Sequence, residues 1–166
     1  MSARLANLLG FFACVALLGY AYFAQYVQHL EPCPLCIFQR VGIFVTGLLF
    51  MAAAIQGPKA WGRRVYAVLI ALAALLTMGV AIRHLWIQSQ PPGTVASCGA
   101  PLEMMLKFFP LREVVAKVLA GSGECAQINW RFLGLAMPAW VLLAALGLGA
   151  FAVWANLRRA RPVLRF

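Results

Sequence analysis

Long apolar stretches separated by short polar ones dominate the chain, and there are four of them. Residues 5–27 are interrupted only by Asn7, Gln25 and small side chains, and residues 37–55 only by Gln39, Arg40 and Thr46. Residues 65–82 carry no charge, and neither do residues 132–154. A hydrocarbon core about 30 Å thick needs about 20 helical residues to cross. None of the four runs shows the strict alternation of a barrel strand. Without water to satisfy backbone N–H and C=O groups, such runs must be helices. The pattern predicts an all-α polytopic membrane protein, a four-transmembrane-helix bundle forming a single domain over residues 1–166. Its spans are expected at about 5–27, 37–55, 65–87 and 132–154, joined by loops at about 28–36 and 88–131 and a turn at about 56–64. The first run exceeds the apolar region of a cleaved signal peptide, about 7–15 residues, and ends without a small-residue cleavage site. It reads as a retained span.

The longer loop has a pattern of its own. Leu111, Val114, Val115, Val118 and Leu119 recur at helical spacing, with Arg112, Glu113 and Lys117 on the opposite face. A short amphipathic helix is expected, preceded by Pro110 and stopped by Gly121. Two placements suit it: flat on the membrane surface, or packed on the ends of the bundle.

Composition agrees. Apolar residues make up 64% and charged residues 11% of the 166 positions, against roughly 45–50% and about 25% in a soluble domain. The balance of 14 Lys+Arg to 4 Asp+Glu would suggest nucleic acid in a soluble protein. Here the basic residues flank the spans, so they report topology instead, and no nucleic-acid partner is expected. Arg4, Lys59, Arg63, Arg64, Arg158, Arg159, Arg161 and Arg165 gather on the side of the termini and the 56–64 turn. All four acidic residues, Glu31, Glu103, Glu113 and Glu124, fall on the other side. The positive-inside rule then puts both termini in the cytoplasm and the two remaining loops outside.

Those outer loops hold four of the five cysteines, on the oxidising side where disulfides persist. Cys33 and Cys36 form a C-x-x-C pair at the start of the second span. So short a loop gains little from closure, which makes the pair a poor staple and a suitable redox dithiol. A helix beginning near Pro34 sets Cys36 in its first turn, where the partial positive charge favours a thiolate. Arg40 follows one turn deeper on the same face. A charge at that depth costs about 2.5–3.5 kcal/mol on insertion scales, and it points either to an anion partner or to snorkelling toward headgroups. Cys98 and Cys125 lie among Ser and Gly residues that suggest mobile, accessible turns. Locally, a static loop-closing bridge suits them best. A zinc site using all four outer cysteines lacks the second closely spaced ligand pair, and no metal is expected. Cys14, inside the first span, reads as a small core residue.

The segment Cys-Pro-Leu-Cys-Ile-Phe-Gln-Arg over 33–40, the Cys98 and Cys125 pair, and the block from Cys125 through Asn129-Trp130-Arg131-Phe132 to Met137-Pro138-Ala139-Trp140 together resemble the DsbB family of bacterial inner-membrane thiol oxidoreductases. The resemblance spans nearly the whole chain. It implies a protein-dithiol:quinone oxidoreductase of the bacterial inner (cytoplasmic) membrane, with its catalytic loops in the periplasm. It also implies that Cys98–Cys125 is not a static bridge but the disulfide offered to a DsbA-like thioredoxin-fold partner, with Cys98 forming the mixed disulfide. Cys125 would then engage Cys33, releasing Cys36 beside a bound quinone, ubiquinone or menaquinone, near Arg40. The Cys33–Cys36 disulfide would be regenerated as the quinone is reduced. His84 and Met137 fall near family positions that border the quinone, although the spacing from His84 to Cys98 differs slightly. A lone His at an interface and a Met in an apolar run also have plain packing roles. Gln39 stands where the best-known members of the family have Glu. The alternatives are a vitamin K epoxide reductase-like thiol oxidoreductase, or a non-catalytic tetraspan stapled by disulfides.

Overall fold

The computed structural model describes residues 2–91, 102–121, 123–128 and 130–157. Among these, four helices are long and apolar enough to cross a membrane: α1 (Ala3–Tyr26), α2 (Pro34–Gln56), α3 (Ala60–Gln88) and α7 (Met137–Leu157). Between α3 and α7 lie the short helices α4 (Leu102–Phe108), α5 (Leu111–Ala120) and α6 (Gly123–Ala126), then strands β1 (Arg131–Phe132) and β2 (Leu135–Ala136). The protein is an all-α, multi-pass membrane protein.

Local chemistry sets the ends of the long helices. Ser2 caps α1 by accepting a hydrogen bond from Leu5 N–H. Pro34 opens α2, where its missing N–H is no loss, and Gly57 closes that helix at φ 53°, its N–H bonded to the Ala53 carbonyl. The helices close as a ring in the order α1, α2, α3, α7, with α7 returning to α1. Small residues let them approach closely. A Cβ on Gly10 would strike the Phe50 ring, and one on Gly42 would fall on Thr77. Mid-bundle, Cys14 packs with Ile43, Phe50, Ile70, Leu148 and Ala152, which is the core role expected of it. Polar side chains inside the bundle are satisfied locally: the Thr46 and Thr77 hydroxyls donate to the carbonyls of Gly42 and Ala73. Near the chain termini, Asn7 and Asn156 exchange two amide hydrogen bonds of 3.0 Å each. The outward surface carries Leu72, Leu75, Leu76 and many other exposed apolar side chains, as a lipid-facing wall requires.

The fourth long helix starts at Met137, not at about 132. The segment before it is apolar enough to pass for span, but it folds as an antiparallel hairpin pairing Arg131 with Ala136 and Phe132 with Leu135. Its two-residue turn has positive φ at Leu133 (51°) and Gly134 (80°), the mirror-image geometry that matches strand twist. Pro138 then suits the first turn of α7.

The amphipathic helix forms at α5, and it packs on the end of the bundle. Val114 and Val118 are buried against Cys33, Leu35, Ile87, Met105 and Cys125, each burial contributing roughly 1.5–3 kcal/mol. Arg83 fixes the far end of this helix by donating to the carbonyls of Leu119 (2.8 Å) and Ala120 (3.1 Å). These are terminal carbonyls that a cation satisfies well. Gly121 follows at φ 94°, against Ile87, in a position where a Cβ would collide. The next described helix, α6, carries Cys125.

Candidate functional site

The ends of α2 and α3, together with α6, converge beneath α5. Cys33 caps α2 and Cys36 occupies its first turn, as the C-x-x-C spacing predicts. The Cys33 thiol donates to Cys36 Sγ across 3.3 Å. Cys125 is 1% exposed, contrary to the accessible turn expected from its Gly- and Ser-rich surroundings. The apolar roof of α5 explains the difference. Cys33 Sγ, Cys125 Sγ and a ring nitrogen of His84 all lie within 4.8 Å of one another. Cys98 lies outside the described residues.

His84 forms the hub. It is 2% exposed, with Nε2 at 3.7 Å from Cys33 Sγ, 3.2 Å from the Cys125 carbonyl and 3.5 Å from Gln88 Nε2. On the other side of the ring, Nδ1 faces Gln39 Nε2 at 3.2 Å. With a carbonyl as its acceptor, Nε2 carries the proton, and Nδ1 receives a hydrogen bond from the Gln39 amide. Gln39 is itself buried, so the polar residue interrupting the second apolar run points inward at a partner.

Two cavities meet at this end. A small chamber of about 70 Å³ is lined by Cys33, Cys36, Arg40, His84, Gln88 and Met137, among others. A larger groove of about 650 Å³ runs between α1, α2 and α7, walled by Leu17, Tyr20, Ile43, Trp140, Val141 and Ala144. Cys36, Arg40, Trp130 and Met137 belong to both linings. Cys36 therefore stands in the partition between a small, sulfur-lined space and a larger, more apolar one. His84, expected beside a quinone, lines the chamber only. The groove takes no wall from α3.

Arg40 is held within the protein. Its guanidinium donates to Gln25 Oε1 and, at 3.0 Å, to the Ala21 carbonyl, and it lies 5.3 Å from the Tyr22 ring centroid. Sequence reasoning noted Gln25 only as a break in the first run. A lone amide near a span end was the signal available for it. Gln88, one turn beyond His84, was missed outright. The groove's aromatic rim was missed too: Tyr20 meets Trp130, Trp130 stacks on Phe132, and Phe132 meets Trp140, whose Nε1 donates to the Phe132 carbonyl.

Comparison with known proteins identifies the family. The sequence model of the family described as Disulfide bond formation protein DsbB matches residues 3–155. A disulfide bond formation protein B from Nitrosococcus oceani is 46% identical over 154 residues, covering 93% of this chain and 91% of the relative. Its namesake from Methylococcus capsulatus is 47% identical over 160 residues, covering 95% and 98%. A third, from Chromobacterium violaceum, is 46% identical over 165 residues, covering 97% and 99%. The chain belongs to the DsbB family of disulfide bond formation proteins.

Proposed function

We propose that the protein is a disulfide-generating protein-dithiol:quinone oxidoreductase of a bacterial inner membrane, with both termini cytoplasmic and the cysteine-bearing end periplasmic. A DsbA-type thioredoxin-fold partner delivers two electrons to the Cys98–Cys125 disulfide. In the exchange, a partner thiolate attacks Cys98, and the mixed disulfide resolves as the partner's own disulfide closes. The Cys125 thiolate then attacks Cys33, breaking Cys33–Cys36 and releasing Cys36 as the thiolate. The separation of Cys33 and Cys125 sulfurs, within 4.8 Å, supports this step, because exchange needs little more than a rotamer change. The burial of Cys125 beneath α5 keeps water and stray thiols from intercepting it.

The observation that carries the proposal is the position of Cys36 on the wall shared by chamber and groove. A quinone suits the groove. Apolar walls accept a ring and an isoprenoid tail, and Cys36, Gln39 and Arg40 supply the polar end. Quinone, when bound, supplies a lipid-soluble two-electron acceptor. Arg40 has N–H donors beyond those given to Gln25 and Ala21, and it offers positive charge where an anion develops.

Quinone reduction by the purified protein, driven by reduced partner, tests the proposal. Turnover is expected to vanish with Cys33→Ala, Cys36→Ala, Cys98→Ala or Cys125→Ala. Retained turnover in any one removes that residue from the relay.

A further inference from the structure

Cys33, His84 and Cys125 come from three separate elements, are all buried, and turn their ligating atoms to within 4.8 Å of one another. The nitrogen–sulfur edge between His84 Nε2 and Cys33 Sγ measures 3.7 Å. A tetrahedral zinc with Zn–S of about 2.3 Å and Zn–N of about 2.0 Å sets S···N edges of about 3.5 Å and S···S edges of about 3.8 Å. Closing the cluster on one ion therefore needs each separation, none above 4.8 Å, to shorten by at most about 1.3 Å. We propose that the fully reduced protein holds a thiophilic divalent cation of the zinc class between Cys33, His84 and Cys125, and that disulfide formation erases this site.

The chemistry of the donors favours that class. Thiolate and imidazole select zinc-like ions over magnesium or calcium. Two thiolates and a neutral imidazole cancel the dication's charge, so the loaded site is neutral where a net charge would be costly. Each thiol loses its proton on binding, two protons leave, and no oxidant or reductant is required. The chamber of about 70 Å³ borders Cys33 and His84, leaving room for a water as fourth ligand. Ligation at His84 Nε2 shifts the ring proton to Nδ1. Rotating the Gln39 amide brings its oxygen to face that proton, with no change of shape. Sequence spacing could not show this set, since the ligands are brought together only by the packing of α6 on α3.

The ion would occupy two of the sulfurs that the proposed relay uses and so hold it shut. That consequence rests on the relay, whereas the site does not. Cobalt(II) titration of the full chain in detergent, reduced with excess phosphine, reads the site directly by absorption. The expected result is one cobalt per chain, with thiolate-to-cobalt charge transfer and the visible bands of a tetrahedral ion, displaced by zinc. Protein with its disulfides intact should show neither, and Cys14→Ser should behave as the parent. Gln39→Leu should weaken binding about 10–100-fold by removing the group that orients the imidazole. Absence of these bands in reduced protein that still reduces quinone overturns the metal site alone. Equal bands in the oxidised protein, which needs no variant to fold, overturn it as well.

Discussion

The two ends of the bundle both bury polar side chains, but they handle them differently. At the end near the termini, Asn7 and Asn156 exchange matched amide hydrogen bonds, and Asn156 gives its second N–H to the Ala152 carbonyl. Each partner meets the other's need, and neither has a second arrangement. At the cysteine end, His84 Nε2–H has two acceptors within reach at once, the Cys33 sulfur and the Cys125 carbonyl. Nearby, the buried Gln88 Oε1 has no partner among the described residues. A complete pair holds helices together. An oversubscribed hub can change partners without unfolding, which is what thiol–disulfide exchange requires.

Breaking the cysteine end should therefore cost function, while breaking the terminal end should cost only stability. The largest effect short of abolishing turnover is expected from Arg40→Ala. Losing a charged hydrogen-bond partner, about 1.5–3 kcal/mol, should raise the apparent KM for quinone roughly 10–100-fold. Steady-state kinetics against quinone concentration checks this, and an unchanged KM returns Arg40 to a merely structural tie between α1 and α2. Next comes Arg83→Ala, which frees the carbonyls of Leu119 and Ala120 and loosens α5 over the sulfurs. A loss of about 1–2 kcal/mol in local closure should speed maleimide labelling of Cys125 in reduced protein about 5–30-fold. Labelling at the parent rate would mean that the valine contacts alone hold the roof.

Smaller still is Asn7→Ala. Interhelical hydrogen bonds in membranes average about 0.6 kcal/mol and reach about 1.7 kcal/mol, so thermal denaturation should show a loss of that order with turnover per folded molecule intact. A redox defect there would dissolve the contrast between the ends. Cys14→Ala, in the apolar mid-bundle core, should change stability slightly and electron transfer not at all.

How far the sequence revealed these features follows from what each depends on. Spanning helices depend on long apolar continuity, which is visible residue by residue, and Pro34 marked the start of α2 ahead of Cys36. The hairpin at 131–136 escaped because Phe132, Leu133, Leu135 and Ala136 are as apolar as a span, and hydropathy does not distinguish the two. The amphipathic pattern of α5 gave its helix but not its support, since a valine stripe fits either lipid or a bundle end. Cys125 looked exposed because its neighbours are turn formers, yet its burial comes from residues on α5. The His84 hub depends on the rotation of α3 about its axis and on where α6 lands, both set by packing between distant segments. The family resemblance indicated the cysteines, Arg40 and His84, but not the contacts that His84 makes with Cys33 and Gln39.

The central claim is that electrons pass from a sulfur chamber to a separate apolar groove through Cys36. Filling the groove with Ala144→Trp tests it most directly, because Ala144 lines the groove and not the chamber. Measured together, single-turnover oxidation of reduced partner without quinone and steady-state quinone reduction should separate. The first should persist at one partner disulfide per active disulfide of the protein, and the second should fall to background. Steady-state turnover that survives the filled groove would contradict the claim.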